Sequence, residues 1–88
     1  SLFILDVRED NEVAVAKING TVHIPMGQVA GRLSEIDQSG EIIVHCKVGG
    51  RSAKVCQLLI ENGFKNVNNL EGGITAWSQY IDPSIPIY

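Results

Sequence analysis

The chain has 88 residues, 44% of them hydrophobic, and carries a formal charge of −3. That length suits a single domain, whose folding buries roughly 60–65% of the unfolded surface. An acidic balance without a basic run offers nucleic acid nothing to bind, no apolar run reaches membrane-spanning length, and two cysteines in dissimilar settings do not make a secreted disulfide framework. No signal-peptide pattern opens the chain, so the expected compartment is the cytoplasm.

In chain order, Ser1-Leu2-Phe3-Ile4-Leu5-Asp6 opens directly in an apolar β-type run with no cap or linker before it. A chain rarely begins inside a core strand, which leads us to expect a fragment of a longer protein. Glu9 to Lys17 reads as a short helix capped by Asp10 or Asn11, although Val13 and Val15 fit a strand about as well. Asn19-Gly20 marks a turn. Thr21 to Pro25 follows as a short strand, stopped by a proline that cannot donate to a central ladder. His23 is taken as a turn or strand residue. From Gln28 to Ile36, Val29, Leu33 and Ile36 share one narrow arc opposite Gln28, Arg32 and Glu35, the pattern of an amphipathic surface helix. Asp37 to Gly40 returns the chain as a loop.

Glu41 to Ser52 is the stretch around which the rest of the chain is organised. Ile42 to Cys46 is a nearly continuous apolar run, which predicts a strand covered on both faces. Gly49 and Gly50 allow a tight loop whose N–H groups can converge on a ligand, and Ser52 to Asn62 reads as a helix. The sulfur of Cys46 should therefore lie near the positive end of a helix dipole, with Arg51 as a permanent cation beside it. Such settings bring a cysteine pKa to roughly 3.5–7.5, against about 8.5 for the free thiol. A drop of about two units requires about 2.7 kcal/mol of preference for the anion. A helix end supplies up to about 2 kcal/mol of this, and charge-assisted bonds from the loop can add the rest. The plainer reading is a small buried cysteine at a strand end; the glycine pair, the arginine and the helix start favour the reactive one.

On the Ser52–Asn62 helix, Lys54, Gln57 and Glu61 occupy one face, with Ala53, Val55, Cys56, Leu59 and Ile60 on the other. Cys56 is thus expected in the core, as a packed small hydrophobe rather than a resolving thiol. No cysteine or histidine pair has metal-ligand spacing, so no metal is expected. Gly63 ends the helix. Asn66 to Leu70 reads as a strand anchored by Val67, and Glu71-Gly72-Gly73 as a second glycine turn. A last helix carries Ile74, Trp77 and Ile81 at helical spacing. Residues 81–88, with Pro83 and Pro86, are expected as an extended tail. Strands alternating with helices predict an α/β fold with a mainly parallel sheet, and such folds keep their sites at the carboxyl ends of the strands.

Loop length narrows the chemistry. Four residues separate Cys46 from Arg51, one fewer than in Cys-based phosphatase loops, so the loop suits an added sulfur atom better than a phosphoryl group. His45-Cys46-Lys47-Val48-Gly49-Gly50-Arg51-Ser52 resembles the active loop of rhodanese-like sulfurtransferases. Leu5-Asp6-Val7-Arg8 and Leu70-Glu71-Gly72-Gly73-Ile74-Thr75-Ala76-Trp77 resemble two further motifs of that family. Ile18 to Pro25 resembles another, with departures at Asn19, Thr21 and His23. The proline-rich tail resembles the end of rhodanese domains fused behind adenylyltransferases that serve molybdopterin, thiamin or tRNA thiolation.

The resemblance implies a three-layer fold with a mainly parallel central sheet of about four strands and helices on both faces. It implies that the Cys46 strand lies between the opening strand and the Val67 strand, with the His23 strand at an edge. In complete members a further strand and helix come first, so truncation at the N-terminus is expected. The implied function is sulfur transfer: Cys46 accepts a sulfane sulfur as a persulfide held by the loop Lys47, Val48, Gly49, Gly50, Arg51 and Ser52. Asp6, Arg8, Glu71, Gly72 and Gly73 are expected as structural support. Lys47 and Arg51 would attract anionic donors, unless Arg51 braces the loop against Glu71 or Asp6. The implied partners are a sulfur donor, thiosulfate or a cysteine desulfurase persulfide, and a small ubiquitin-like sulfur-carrier protein. No cofactor is required. A phosphatase or arsenate reductase, a non-catalytic binding module and a regulatory redox thiol are the alternatives.

Overall fold

A computed structural model describes residues 1–88. The apolar runs become four strands: β1 (Leu2–Asp6), β2 (Val22–His23), β3 (Glu41–His45) and β4 (Val67–Asn69). They form one sheet in the order β2-β1-β3-β4, with every pair parallel. β3 is therefore interior, between β1 and β4, and the short β2 stands at an edge. The α/β fold of about four parallel strands is the one expected from the sequence. No helix is long and apolar enough to cross a membrane.

Strand periodicity divides the interior. Leu5 and Val7 share a cluster with Ile42, Val44 and Cys46, closed by Val55, Cys56 and Leu59 of α2 (Gly50–Glu61). A separate cluster joins Ala16, Ile18, Ile74 and Ile85, with Leu70, Trp77 and Tyr88 packed against it. This second cluster ties the segment that follows α1 (Asp10–Val15) to α3 (Gly73–Tyr80) and to the C-terminal segment. The neighbouring positions on the strands, Asp6 and His45, are buried but polar.

Several elements differ locally from the sequence reading. The helix expected over Gln28–Ile36 is instead two 3-10 turns, Met26–Gly31 and Leu33–Glu35. Gly27 and Gly31 weaken a helix here, and Arg32, with φ −130° and ψ 26°, breaks it. Val29 and Ile36 are still buried, because the 3-10 turns keep the apolar side inward. α1 is shorter than expected, and its cap is Glu9 rather than Asp10 or Asn11. The Glu12 carboxylate accepts the Glu9 N–H at 3.0 Å, one arm of a capping box.

On α2, Ala53 and Ile60 face solvent although the wheel placed them inward; Val55, Cys56 and Leu59 form the buried stripe. Ile81 likewise follows α3 as an exposed residue rather than extending the Ile74 face. The tail is not a free extension. Ile85 is buried, and the Ser78 hydroxyl donates to its carbonyl at 2.5 Å. Burial of this isoleucine and the satisfied carbonyl both favour the docked segment.

Candidate active site

Cys46 is the first residue past β3, at the carboxyl end of the sheet's interior strand, and its residue is 1% exposed. The chain then reverses through Gly49, whose φ of 118° is open to glycine and strained for other residues, and enters α2. This reversal turns the first amides of the helix back toward the sulfur. Gly49 N–H donates to Cys46 Sγ at 3.1 Å and Ser52 N–H at 3.4 Å, and the Ser52 hydroxyl lies at 3.3 Å. Burial pushes the thiol pKa up, but hydrogen bonding from Ser52, Gly49 and Val48 outweighs it and holds the pKa below its ordinary value. Cys56 goes the other way: burial and the nearby Cys46 charge raise its pKa.

The second glycine turn holds the loop from behind. Ile74 N–H donates to the Cys46 carbonyl at 3.0 Å and Thr75 N–H to the Lys47 carbonyl at 3.1 Å. The start of α3 thus lies directly against the reactive loop. A Cβ at Gly73 would collide with the carbonyls of Lys47 and Cys46. Gly73 also has φ 58°. Of the Gly72-Gly73 pair, expected as structural support, Gly73 is required by this close approach of backbone to backbone, and Gly72 by its φ of 79° and the Ala76 side chain that a Cβ would meet.

Asp6 and Arg8 form a fully buried pair. Arg8 Nη2 and Nε donate to the Asp6 carboxylate at 2.7 and 3.0 Å, and the Arg8 N–H donates to it at 3.0 Å. The guanidinium also reaches the Ala16 carbonyl at 2.7 Å and the Tyr88 hydroxyl at 3.0 Å. It thereby ties the end of β1 to α1 and the tail. His45, buried beside Asp6, has its Nε2 3.7 Å from the Asp6 carboxylate, beyond hydrogen-bond reach. Burial lowers its pKa, which keeps the ring neutral.

Arg51 is braced by neither Glu71 nor Asp6. Its partner is Glu12: Nη1 and Nη2 donate to Oε1 and Oε2 at 2.6 and 2.9 Å. Glu71 is exposed at its turn and Asp6 is committed to Arg8. Lys47 lies with its ammonium 4.7 Å from the centre of the Tyr88 ring. Val48 is the exposed crest of the loop, 63% accessible. His23 Nε2–H donates to the Arg8 carbonyl at 2.6 Å.

Three residues around the site were not among those singled out from the sequence: Glu12, Asn69 and Tyr88. Asn69 Nδ2 donates to the Gly49 carbonyl at 3.1 Å, and its Oδ1 accepts from Ser52 at 2.5 Å, so it fastens the loop to β4. Glu12 carried a signal, its position three residues after Glu9 at a helix start. Tyr88 carried none, since nothing local tells a terminal aromatic where it will pack.

The chain is similar to known proteins. Residues 1–80 match the family model described as a rhodanese-like domain. The chain is 44% identical to YtwF of Bacillus subtilis, covering 93% of this chain and 79% of that one. It is 33% identical to a protein of Allochromatium vinosum named sulfurtransferase, over 90% of this chain and 74% of that one. It is 35% identical to the adenylyltransferase and sulfurtransferase MOCS3-2 of Zea mays, where it covers 97% of this chain but spans 19% of the relative. The crystal structure of a rhodanese-related protein from Thermoplasma volcanium superposes with a TM-score of 0.86 at 28% identity, covering 99% of this chain and 85% of that one. With the parallel sheet, the cysteine loop at its carboxyl end and a family match over nearly its whole length, the chain belongs to the rhodanese-like domain family.

Proposed function

We propose that this domain is a sulfurtransferase in which Cys46 accepts a sulfane sulfur as a persulfide and hands it to a nucleophilic or protein acceptor. The observation that carries this reading is the set of donors converging on Sγ: Gly49 N–H at 3.1 Å, Ser52 N–H at 3.4 Å and the Ser52 hydroxyl at 3.3 Å. They favour the thiolate, the nucleophilic form. The relatives bearing the name sulfurtransferase support the same activity class.

In the first half-reaction the Cys46 thiolate attacks the outer sulfur of the donor. The old sulfur bond breaks, and sulfite or a thiolate leaves with its electron pair. The loop amides from Lys47 to Ser52 then face an anionic outer sulfur, as an oxyanion hole faces oxygen. In the second half-reaction the acceptor takes that sulfur and Cys46 leaves as thiolate. Lys47, Val48, Gly49, Gly50, Arg51 and Ser52 form the holding loop, with Asp6, Arg8, Gly72 and Gly73 supporting it. The donor is thiosulfate or a cysteine desulfurase persulfide. The acceptor is a small ubiquitin-like sulfur carrier, the partner that the tail's resemblance to rhodanese domains behind adenylyltransferases implies, and both free cysteines suit a reducing cytoplasm.

Intact mass after incubation with thiosulfate, or with a persulfidated desulfurase, tests this directly. One added sulfur, absent in Cys46→Ala and removed by cyanide with release of thiocyanate, is the expected result. No adduct from either donor would sink the proposal and leave a binding module in its place.

A further inference from the structure

Both cations of the loop are already engaged. Arg51 holds Glu12 through two hydrogen bonds of 2.6 and 2.9 Å, with side chains 31% and 15% exposed. Glu12 is held from two more sides, by the Tyr88 hydroxyl at 2.8 Å and the Glu9 N–H at 3.0 Å. Four donors on one carboxylate fix its rotamer, and a forked guanidinium–carboxylate pair is among the stronger ionic contacts. The Lys47 ammonium sits over the Tyr88 ring at 4.7 Å, within cation–π range. Tyr88 is in turn anchored by Arg8, whose Nη1 donates to its hydroxyl at 3.0 Å, and by the burial of Ile85.

We propose that Glu12 and Tyr88 are positioning residues that set donor choice, by neutralising Arg51 and occupying Lys47 so that the loop favours persulfides carried on a thiol over free thiosulfate. The inference rests on the sulfur-transfer reading of Cys46 and narrows its donor. Thiosulfate approaches the thiolate as a dianion, and attack on its outer sulfur expels sulfite, again a dianion. Attack on the outer sulfur of a persulfide R–S–SH breaks one S–S bond, forms another and expels R–S⁻, a single charge. At equal distance the dianion meets twice the repulsion from the thiolate. The dianion is therefore the donor that needs a free cation at the mouth, and Glu12 withholds one.

The test measures single-turnover persulfidation of Cys46 by intact mass, with thiosulfate and with cysteine persulfide as alternative donors. Glu12→Gln leaves Arg51 with an uncompensated charge. It is expected to raise the thiosulfate-to-persulfide rate ratio about tenfold, by the attraction of one unit charge for a dianion across a few ångströms of wet surface. The thiosulfate rate of this variant should also fall more steeply with added salt than that of the wild type. Glu12→Gln combined with Arg51→Gln removes both charges and should return the ratio toward the wild-type value. In case Glu12→Gln does not fold, Tyr88→Leu frees Lys47, removes one of the four donors on Glu12 and leaves the Glu12 and Arg51 charges in place, and should move the ratio the same way, by less. An equal change with both donors, or an unmoved ratio in a folded variant, overturns the inference and leaves Glu12 a brace. Failure of both donors in every protein overturns the sulfur-transfer reading as well, a different result.

Discussion

Replacing Ser52 by alanine removes one oxygen from the wall around the sulfur and leaves both amide donors in place. The Ser52 hydroxyl has one proton and three acceptors within reach: Asn69 Oδ1 at 2.5 Å, the Gly49 carbonyl at 3.2 Å and Cys46 Sγ at 3.3 Å. While Cys46 is a neutral thiol, the shortest contact takes the proton. Ionisation makes sulfur the stronger acceptor, and the proton is then shared. A hydrogen bond to a charged group contributes about 1.5–3 kcal/mol, so a shared one contributes about 1 kcal/mol. Ser52→Ala is therefore expected to raise the Cys46 pKa by about 0.5–1 unit. The amides at 3.1 and 3.4 Å remain to hold it down. The assay is the pH dependence of iodoacetamide alkylation in a Cys56→Ala background, which removes the second thiol. A rise of more than about two units would refute the reasoning, because the hydroxyl and not the amides would then be the main stabiliser of the anion. A pKa that falls would refute it outright.

Asp6→Asn leaves the buried Arg8 guanidinium without its counter-charge, and urea unfolding should show a loss of about 3–5 kcal/mol; a loss below about 1 kcal/mol would mean that the carbonyls of Ala16 and Glu12 hold the guanidinium by themselves. Gly73→Ala drives a Cβ into the carbonyls of Cys46 and Lys47, whereas a Cβ at Gly50 meets nothing within 4 Å. The first variant should be destabilised and lose sulfur loading, while the second should fold at least as well, since alanine is favoured over glycine within a helix by up to about 1 kcal/mol. Equal behaviour of the two in thermal melts and mass assays would contradict the packing argument. Hydrogen bonds from Arg51 lower the Glu12 pKa from its ordinary 4.5 to about 2. A depressed acid stabilises the fold above its ordinary pKa, and that contribution drains away as pH falls from 4.5 toward about 2. Glu12→Gln should flatten that part of the acid-unfolding curve, and an unchanged curve would show that the pair adds nothing.

The fold and the geometry of the cysteine loop were legible because both are written in local pattern. Ile42 to Cys46 is apolar at every position but His45, a pattern that suits an interior strand covered on both faces. Gly49-Gly50 before a helical run signals a reversal whose amides point back at the cysteine, and the amides do so at 3.1 and 3.4 Å. The mainly parallel sheet followed from short strands alternating with helices, whereas the strand order came from the resemblance to rhodanese-like domains. Local pattern misjudged Gln28–Ile36, where the apolar spacing of Val29, Leu33 and Ile36 fits an α-helix and a pair of 3-10 turns alike.

What the tertiary structure alone decided is which charges meet. Arg51 could have braced against Asp6, Glu71 or Glu12, all acidic and all near motifs; the closing of β1 and α1 over the loop selected Glu12, while Asp6 was taken by Arg8. The tail's route depended on a buried site for Ile85 that exists only once Ala16 and Ile18 have met Ile74. Tyr88 then arrives over Lys47, 41 positions along the chain, by a path that no periodicity encodes. Backbone preference and apolar spacing act over a few residues and so can be read directly, whereas a charged or aromatic side chain pairs with whatever the finished fold brings within a few ångströms.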